Sequence, residues 1–269
     1  MPSVLQITDC HLVVEDALLI GVDTQASLEA VLEQATQQRQ PDAIIASGDL
    51  AHDPLPTVYE RFLQTIRRAS DAPLVCLPGN HDVLGAMNKL PCAPIEIGNW
   101  TIVPLDSHED EVAPSNIEEE DMAAVAAHMA GSQAEHVLVT THHPFVEVNA
   151  PWLDRDRIQN PEDLVEWLSE RSRSDSERAE RVKRLRAIVF GHAHQEVNAE
   201  CAGVPVYGTP STCFQFKPHS QQFALDDQPP GYRWLELHDD GSIQTIVERV
   251  DAFKIEPVLK PKDRSPQRK

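Results

Sequence analysis

Ten side chains suited to metal binding or proton transfer fall into five short motifs: Asp9-Cys10-His11, Gly48-Asp49, Gly79-Asn80-His81-Asp82, His142-His143-Pro144 and Gly191-His192-Ala193-His194. Carboxylate, amide oxygen and imidazole without thiolate form a donor set for Mn, Fe, Zn or Co, unlike a Cys-rich structural zinc site. Asp49 stands where one carboxylate could bridge two ions. Two metals about 3.5–4 Å apart can bind a nucleophilic hydroxide and clamp the phosphoryl oxygens of an in-line displacement. Two divalent cations outweigh two carboxylates, so such a centre attracts phosphate even in an acidic protein. Taken singly the motifs are weak. Asp-x-His is common on surfaces, Gly-Asp is an ordinary turn, and paired histidines are often structural. The inference rests on their joint placement.

That placement is set by apolar runs that read as buried strands at 4–7, 43–46, 74–77, 101–105, 137–139 and 187–190. Five of these six are followed at once by one of the motifs. In α/β sheets the carboxyl edge of the strands is where ligands bind. Residues two apart in an extended segment project to one face, so Asp9 and His11 are expected to point together, as are His192 and His194. Gly48, Gly79 and Gly191 allow sharp turns and close backbone approach. Adjacent residues in an extended turn point apart, so only one of His142 and His143 is expected to ligate. His52, Asp53 and His108 read as surface residues.

Helical spacing connects the early strands. Residues 24–38 place Leu28, Val31, Leu32 and Ala35 on one stripe, with Thr24 as N-cap. Residues 56–69 do the same with Val58, Phe62, Leu63 and Ile66. Residues 116–129 form a third helix with an acidic first turn. Strands alternating with helices indicate βαβ units. Later runs at 196–199, 204–207, 232–238 and 243–250 read as antiparallel strands, the last two joined by a turn at 239–242. The expected architecture is α/β, two sheets face to face with helices outside, in one domain over 1–255. The Pro- and Lys-rich tail 256–269 reads as disordered. The charged stretch 171–186 reads as a solvated helix or loop.

Composition limits the function. The chain has 269 residues and a net charge of −20, an unsuitable balance for steering a long nucleic acid. No run reaches the apolar length of a membrane span, and the start of the chain lacks the features of a signal peptide. None of the five cysteines lies in a C-x-x-C pair, which suits a reducing compartment and a cytoplasmic location.

Together the five motifs resemble those of the calcineurin-like metallophosphoesterases. The resemblance implies an αββα sandwich of two mixed sheets flanked by helices. It implies one metal among Asp9, His11, Asp49 and His194, and a second among Asp49, Asn80, His142 and His192. Fe and Mn are the expected pair, with Zn or Co as alternatives. His81 resembles the family's phosphate-contacting, proton-donating histidine, oriented by Asp82; Asn80, His81 and His143 are the expected substrate contacts. The segments 19–24, 152–154, 210–218 and 230–233 are similar to those of the bacterial class III 3′,5′-cyclic AMP phosphodiesterases. This implies hydrolysis of a cyclic nucleotide to a 5′-nucleotide by a metal-bound hydroxide, with a homodimer as the oligomeric state. Lys217 and His219 lie where they could reach substrate, although a structural role for 215–218 is an equal reading. The metal set reads phosphate and not base. Another small phosphodiester or monoester therefore stays open, as does a non-catalytic scaffold, which would be expected to have lost ligands or His81.

Overall fold

Alternation within each strand decides the layering. In β1 (Ser3–Ile7), Leu5 and Ile7 face one way, into an apolar core shared with helices α1 (Thr24–Gln38) and α2 (Pro56–Ala69). Val4 faces the other way, into a core between the two sheets. The next strands, β2 (Ala43–Ser47) and β3 (Leu74–Leu77), repeat the division: Ile44, Ala46 and Cys76 turn to the helices, Ala43, Ile45 and Val75 to the facing sheet. Strands buried on both faces are apolar nearly throughout, as in parallel sheets, with Gln6 and Ser47 the buried polar exceptions in β1 and β2.

The second half is built the same way. The pair β4 (Ile95–Ile97) and β5 (Trp100–Pro104) leads to α3 (Glu119–Gly131) and β6 (His136–Thr140). Then come α4 (Pro161–Arg171), β7 (Leu185–Phe190), β8 (Val197–Cys201) and β9 (Val204–Gly208). Val137, Val139, Ile188 and Phe190 pack outward with Leu164, Val165 and Leu168 of α4, while Leu138, Ala187 and Val189 join the core between the sheets. A two-residue ladder, β10 (Gln215–Phe216) with β11 (Leu225–Asp226), precedes β12 (Gly231–Leu237) and β13 (Ile243–Arg249). The first sheet runs β13-β12-β1-β2-β3 and the second β4-β5-β6-β7-β9-β8. In each, the strands that carry motifs are mutually parallel. Mixed sheets with helices on their outer faces make the expected αββα sandwich.

The computed structural model describes residues 1–108, 117, 119–171, 184–255 and 258. Most of the tail and most of 171–186 lie outside the described residues, so those readings stand apart from the structure. Val258, within the tail, donates its amide to the carbonyl of Ile20 at 2.7 Å. The N-cap of α1 is Asp23 and not Thr24: the Asp23 side chain accepts from the amide of Ala26 at 2.9 Å, and Thr24 is the buried first helical residue. A carboxylate there also complements the positive end of the helix.

A buried polar seam crosses between the sheets beneath the motif edge. Gln6 donates to Ser47 Oγ at 3.0 Å and to the Phe190 carbonyl at 3.2 Å, and accepts from Thr209 Oγ1 at 2.7 Å. Arg233, 1% exposed, donates to the Gly208 carbonyl at 2.8 Å, to Thr245 at 2.9 Å and to Thr209 at 3.3 Å. Burial lowers its guanidinium to about 10. The bonds of Gln6 to Phe190 and Thr209 and of Arg233 to Gly208 and Thr209 cross from one sheet to the other, so the two sheets are registered by hydrogen bonds as well as by apolar contact.

Candidate active site

The five motifs meet at one edge of the sandwich. Asp9, Asp49 and Asn80 follow strands of the first sheet; His142, His192 and His194 follow strands of the second. The loops are laced by backbone. The Asp9 amide donates to the Gly48 carbonyl at 3.0 Å, the His11 amide to the Asp49 carbonyl at 2.9 Å, and Gly191 to the His142 carbonyl at 3.0 Å. The His192 amide reaches across to the Asp9 carboxylate at 3.0 Å.

The reason Asp9 and His11 turn together is not the extended backbone expected from their spacing. Both are left-handed, at φ 51° and 44°, as are Asp49 (50°), His192 (60°) and His194 (49°). Such conformations cost a non-glycine residue about 1–3 kcal/mol each and gather at functional sites. Gly48 extends the turn at φ +96°, where an added Cβ would lie 2.4 Å from His142 Nδ1.

Asp49 divides its oxygens between two groups. Its Oδ2 is 3.6 Å from His11 Nε2, and its Oδ1 is 3.6 Å from His142 Nε2. On the first side, His11 Nε2 and His194 Nε2 are 3.1 Å apart, with Asp9 Oδ1 3.4 Å from His194 Nε2. On the second, Asn80 Oδ1 lies 2.9 Å from His192 Nδ1 and 3.2 Å from His142 Nε2. Backbone acceptors fix two of these rings. His142 Nδ1 donates to the Ser47 carbonyl at 2.8 Å, and His194 Nδ1 to the Phe214 carbonyl at 2.7 Å. That leaves Nε2 of each neutral ring as a lone pair aimed at other acceptors, which only a proton or a cation reconciles. The residues fit two metal ions. Buried groups of this kind recur as Asp9-His11-His194, Asp9-Asp49-His142 and His142-His143-His192.

Electrostatics agree. Burial alone would raise Asp49, but His142, His81 and His11, with the His81 amide, pull it far below the usual carboxylate range. Burial keeps His11 and His143 well below the ordinary imidazole value, and lowers His192 to about 3, helped by His142. Neutral rings are ready ligands. His142 behaves oppositely: against burial, Asp49, Asp9 and the Ser47 carbonyl raise it, so its surroundings favour positive charge.

Asp82 departs from expectation. Its carboxylate does not orient the His81 ring. Its Oδ1 accepts from the Ala51 amide at 3.0 Å and Tyr59 Oη at 2.8 Å, and its Oδ2 from the amides of Gly79 at 2.9 Å and Leu50 at 3.1 Å. With four donors the carboxylate is filled, and what it holds is the loop. Burial and the charge of Asp49 raise it to about 6. The exposed His81 is placed through its amide, which donates to Asp49 Oδ1 at 2.8 Å, and through its ring, stacked on His52 at 5.2 Å and edge-on to His11 at 4.9 Å.

Neighbouring residues also correct the surface readings. His52 is half-buried beside His81. Asp53 accepts from the Val14 amide at 2.8 Å, and the His108 ring meets the Asp82 carbonyl at 3.1 Å. The His143 ring does not point away from His142: their centroids are 5.0 Å apart. His143 Nδ1 sits 2.9 Å from Ser107 Oγ, and its Nε2 is buried without a partner among the described residues. The segment 211–215 backs the Asp9 turn. Ser211 Oγ donates to the Asp9 carbonyl at 2.8 Å, and Gln215 holds Ser211 by both amide and carbonyl. Gln215 is therefore structural, while Lys217 and His219 are exposed. Sequence reading gave no role to Tyr59 and Ser107, named Ser211 only within the segment 210–218, and read His52 as surface although it stands three residues after Asp49.

A buried cluster of histidines and carboxylates that could hold metal ions, at the strand edge of an αββα sandwich, is the setting of a metal-dependent phosphoesterase. The chain belongs to the calcineurin-like phosphoesterase family, whose family model matches residues 2–196. The chain is 35% identical to the 3′,5′-cyclic adenosine monophosphate phosphodiesterase CpdA of Haemophilus influenzae, covering 95% of this chain and 92% of that protein. It is also 35% identical to the protein of the same name from Escherichia coli K12, over 94% and 92%. Among solved structures, the purple acid phosphatase PPD1 of yellow lupin shares the fold at a TM-score of 0.62 and 12% identity, covering 95% of this chain and 52% of that one. Among the described residues, no helix is long and apolar enough to cross a membrane.

Proposed function

We propose that the protein hydrolyses 3′,5′-cyclic AMP to 5′-AMP. One observation carries the reading: 35% identity over 95% of the chain to a named 3′,5′-cyclic AMP phosphodiesterase, on a chain that keeps every expected ligand and His81. Asp9, His11, Asp49 and His194 would hold one ion, and Asp49, Asn80, His142 and His192 the other, with Fe and Mn as the preferred pair. Bound there, divalent ions lower the pKa of water and offset the charge that builds on the phosphoryl oxygens.

The remaining work falls to the chain's own side chains. His81 presents its ring at the exposed margin and donates a proton to the departing ribose oxygen. Asp82 positions that ring indirectly, by fixing the turn whose amide at 81 is bonded to Asp49. His143, with Nδ1 on Ser107, offers Nε2 to a phosphate oxygen. Asn80 contacts substrate from the second group. A cytoplasmic location is supported by five unpaired cysteines, and a homodimer by the family resemblance; light scattering reads the latter.

The test is to strip the purified protein with chelator, restore Mn or Fe, and follow 3′,5′-cyclic AMP by chromatography beside 2′,3′-cyclic AMP and bis(p-nitrophenyl) phosphate. Metal-dependent formation of 5′-AMP is expected. Cleavage of the nitrophenyl diester alone would retain the phosphodiesterase and remove the substrate assignment. No turnover with both metals bound would favour the scaffold.

A further inference from the structure

The chain is poor in aromatic residues, with four Trp, three Tyr and seven Phe in 269. Four of them nonetheless gather on one flank of the candidate metal centre. Phe214 stacks on His11 with centroids 5.6 Å apart, and Phe216 stacks on His194 at 4.0 Å and 21°. Beyond Phe216 the cluster continues away from the ligands. Trp152 meets Phe216 edge to face at 5.0 Å and Phe223 at 5.4 Å, and Phe216 and Phe223 close the triangle at 5.6 Å.

These outer three rings differ from core aromatics. Trp152, Phe216 and Phe223 are all half-buried. Trp152 and Phe216 rest on the margin of the outer core of the second sheet, whereas Phe223 belongs to none of the three apolar cores and has ring contacts to Trp152 and Phe216. Phe216 and Phe223 are brought together by the short β10–β11 ladder, and Trp152 arrives from the turn after β6. Two separate chain segments thus build one aromatic surface that abuts a metal-type ligand through a stacked ring.

The metal centre reads phosphate alone, so any preference for a nucleotide must come from elsewhere. Aromatic side chains bind bases by stacking, which tolerates any base because every base has a π face. We infer that Trp152, Phe216 and Phe223 form the platform on which the base of a cyclic nucleotide stacks, an inference that rests on the cyclic-nucleotide reading above. It makes the three residues determinants of substrate class: they favour diesters that carry a planar base over aliphatic ones such as glycerophosphodiesters. They do not distinguish adenine from guanine.

The experiment uses the full chain loaded with Mn, with Trp152→Leu and Phe223→Ala beside the conservative Trp152→Phe and Phe223→Tyr. KM and kcat for 3′,5′-cyclic AMP, the inhibition constant of inorganic phosphate, metal content and Tm are measured for each. Removing a stacking ring should raise KM about tenfold, leave kcat, metal content and the phosphate constant unchanged, and be reversed by the conservative variants. An unchanged KM in both Trp152→Leu and Phe223→Ala would overturn the inference. So would a KM that rises in step with the phosphate constant, since the rings would then act only by shaping the metal centre. If the unmodified enzyme cleaves bis(p-nitrophenyl) phosphate but not 3′,5′-cyclic AMP, the cyclic-nucleotide reading itself fails, and the platform falls with it.

Discussion

His194 donates its Nδ1 proton to the carbonyl of Phe214 over 2.7 Å. The bond selects the tautomer of a candidate ligand and ties it to a segment twenty residues downstream. Ser211 and Gln215 stabilise that segment against the Asp9 turn. Ser211→Ala should therefore weaken metal binding by about 10–100-fold without removing a ligand. Titration of the metal-free protein with Mn checks this, and a wild-type affinity would show that the backing is dispensable.

In the proposed partition Asn80 and His142 belong to the second ion alone. Asn80→Ala should reduce bound metal from two equivalents toward one, by about a single site. Asp49→Asn, which alters both sides at once, should lower occupancy at both. Elemental analysis after gel filtration reads the stoichiometry. Equal loss in the two variants would refute the partition.

Gly79 lies where a side chain has no room. An added Cβ would sit 2.2 Å from Asp49 Oδ1 and 2.4 Å from the Asp49 amide nitrogen, whereas at Gly85 it would meet nothing within 4 Å. Gly79→Ala should cost about 1–3 kcal/mol together with metal affinity. Gly85→Ala should be neutral or stabilising by up to about 1 kcal/mol. Thermal melts of the two metal-free variants make the comparison.

Tyr59 supplies one of the four donors on Asp82 and accepts the Val83 amide at 3.2 Å. Tyr59→Phe leaves the buried Asp82 carboxylate one donor short and the Val83 amide without its acceptor. The expected loss is about 1–3 kcal/mol of stability, with a lower kcat because the turn carrying His81 is less fixed. If Asp82 instead acted on the His81 ring directly, Tyr59→Phe would leave turnover intact while Asp82→Asn abolished it.

Saturating metal should raise Tm of the wild type, since a ligand that binds only the folded state stabilises it by about 2.7 kcal/mol at a hundred times Kd. Differential scanning fluorimetry with and without chelator measures the shift. No shift would place the strain of the left-handed residues outside metal binding.

The layering and the site edge were readable in the sequence because both rest on local signals. The run Val4-Leu5-Gln6-Ile7 is apolar on both faces apart from Gln6, and Asp9 follows it directly. The residues that the five motifs contribute to that edge were readable for the same reason. What escaped were relationships across the chain. The spacing of Asp9 and His11 suggested an extended backbone, and nothing local discloses that both turn left-handed once the Gly48 loop is paired beside them. Asp82 next to His81 suggested contact, but its four donors come from residues 50, 51, 59 and 79. Ser211 and Gln215 carry no chemical signature, and their role exists only because β12 brings that segment under Asp9. Most strand ends and both ends of the third helix moved by a residue or more, for ordinary reasons of fraying and capping, whereas the first two helices and β3 kept the expected bounds.

The candidate ligands run from Asp9 to His194, and the segment that braces Asp9 ends only at Gln215. During synthesis the first half of the polypeptide therefore emerges with Asp9, Asp49 and Asn80 on parallel strands but with no histidine from the opposite sheet to complete either group. The complete centre needs His142, His192 and His194 beside Asp9, His11, Asp49 and Asn80. It comes into being when the last third of the molecule closes over the first strand, so metal capture reports completion of the fold.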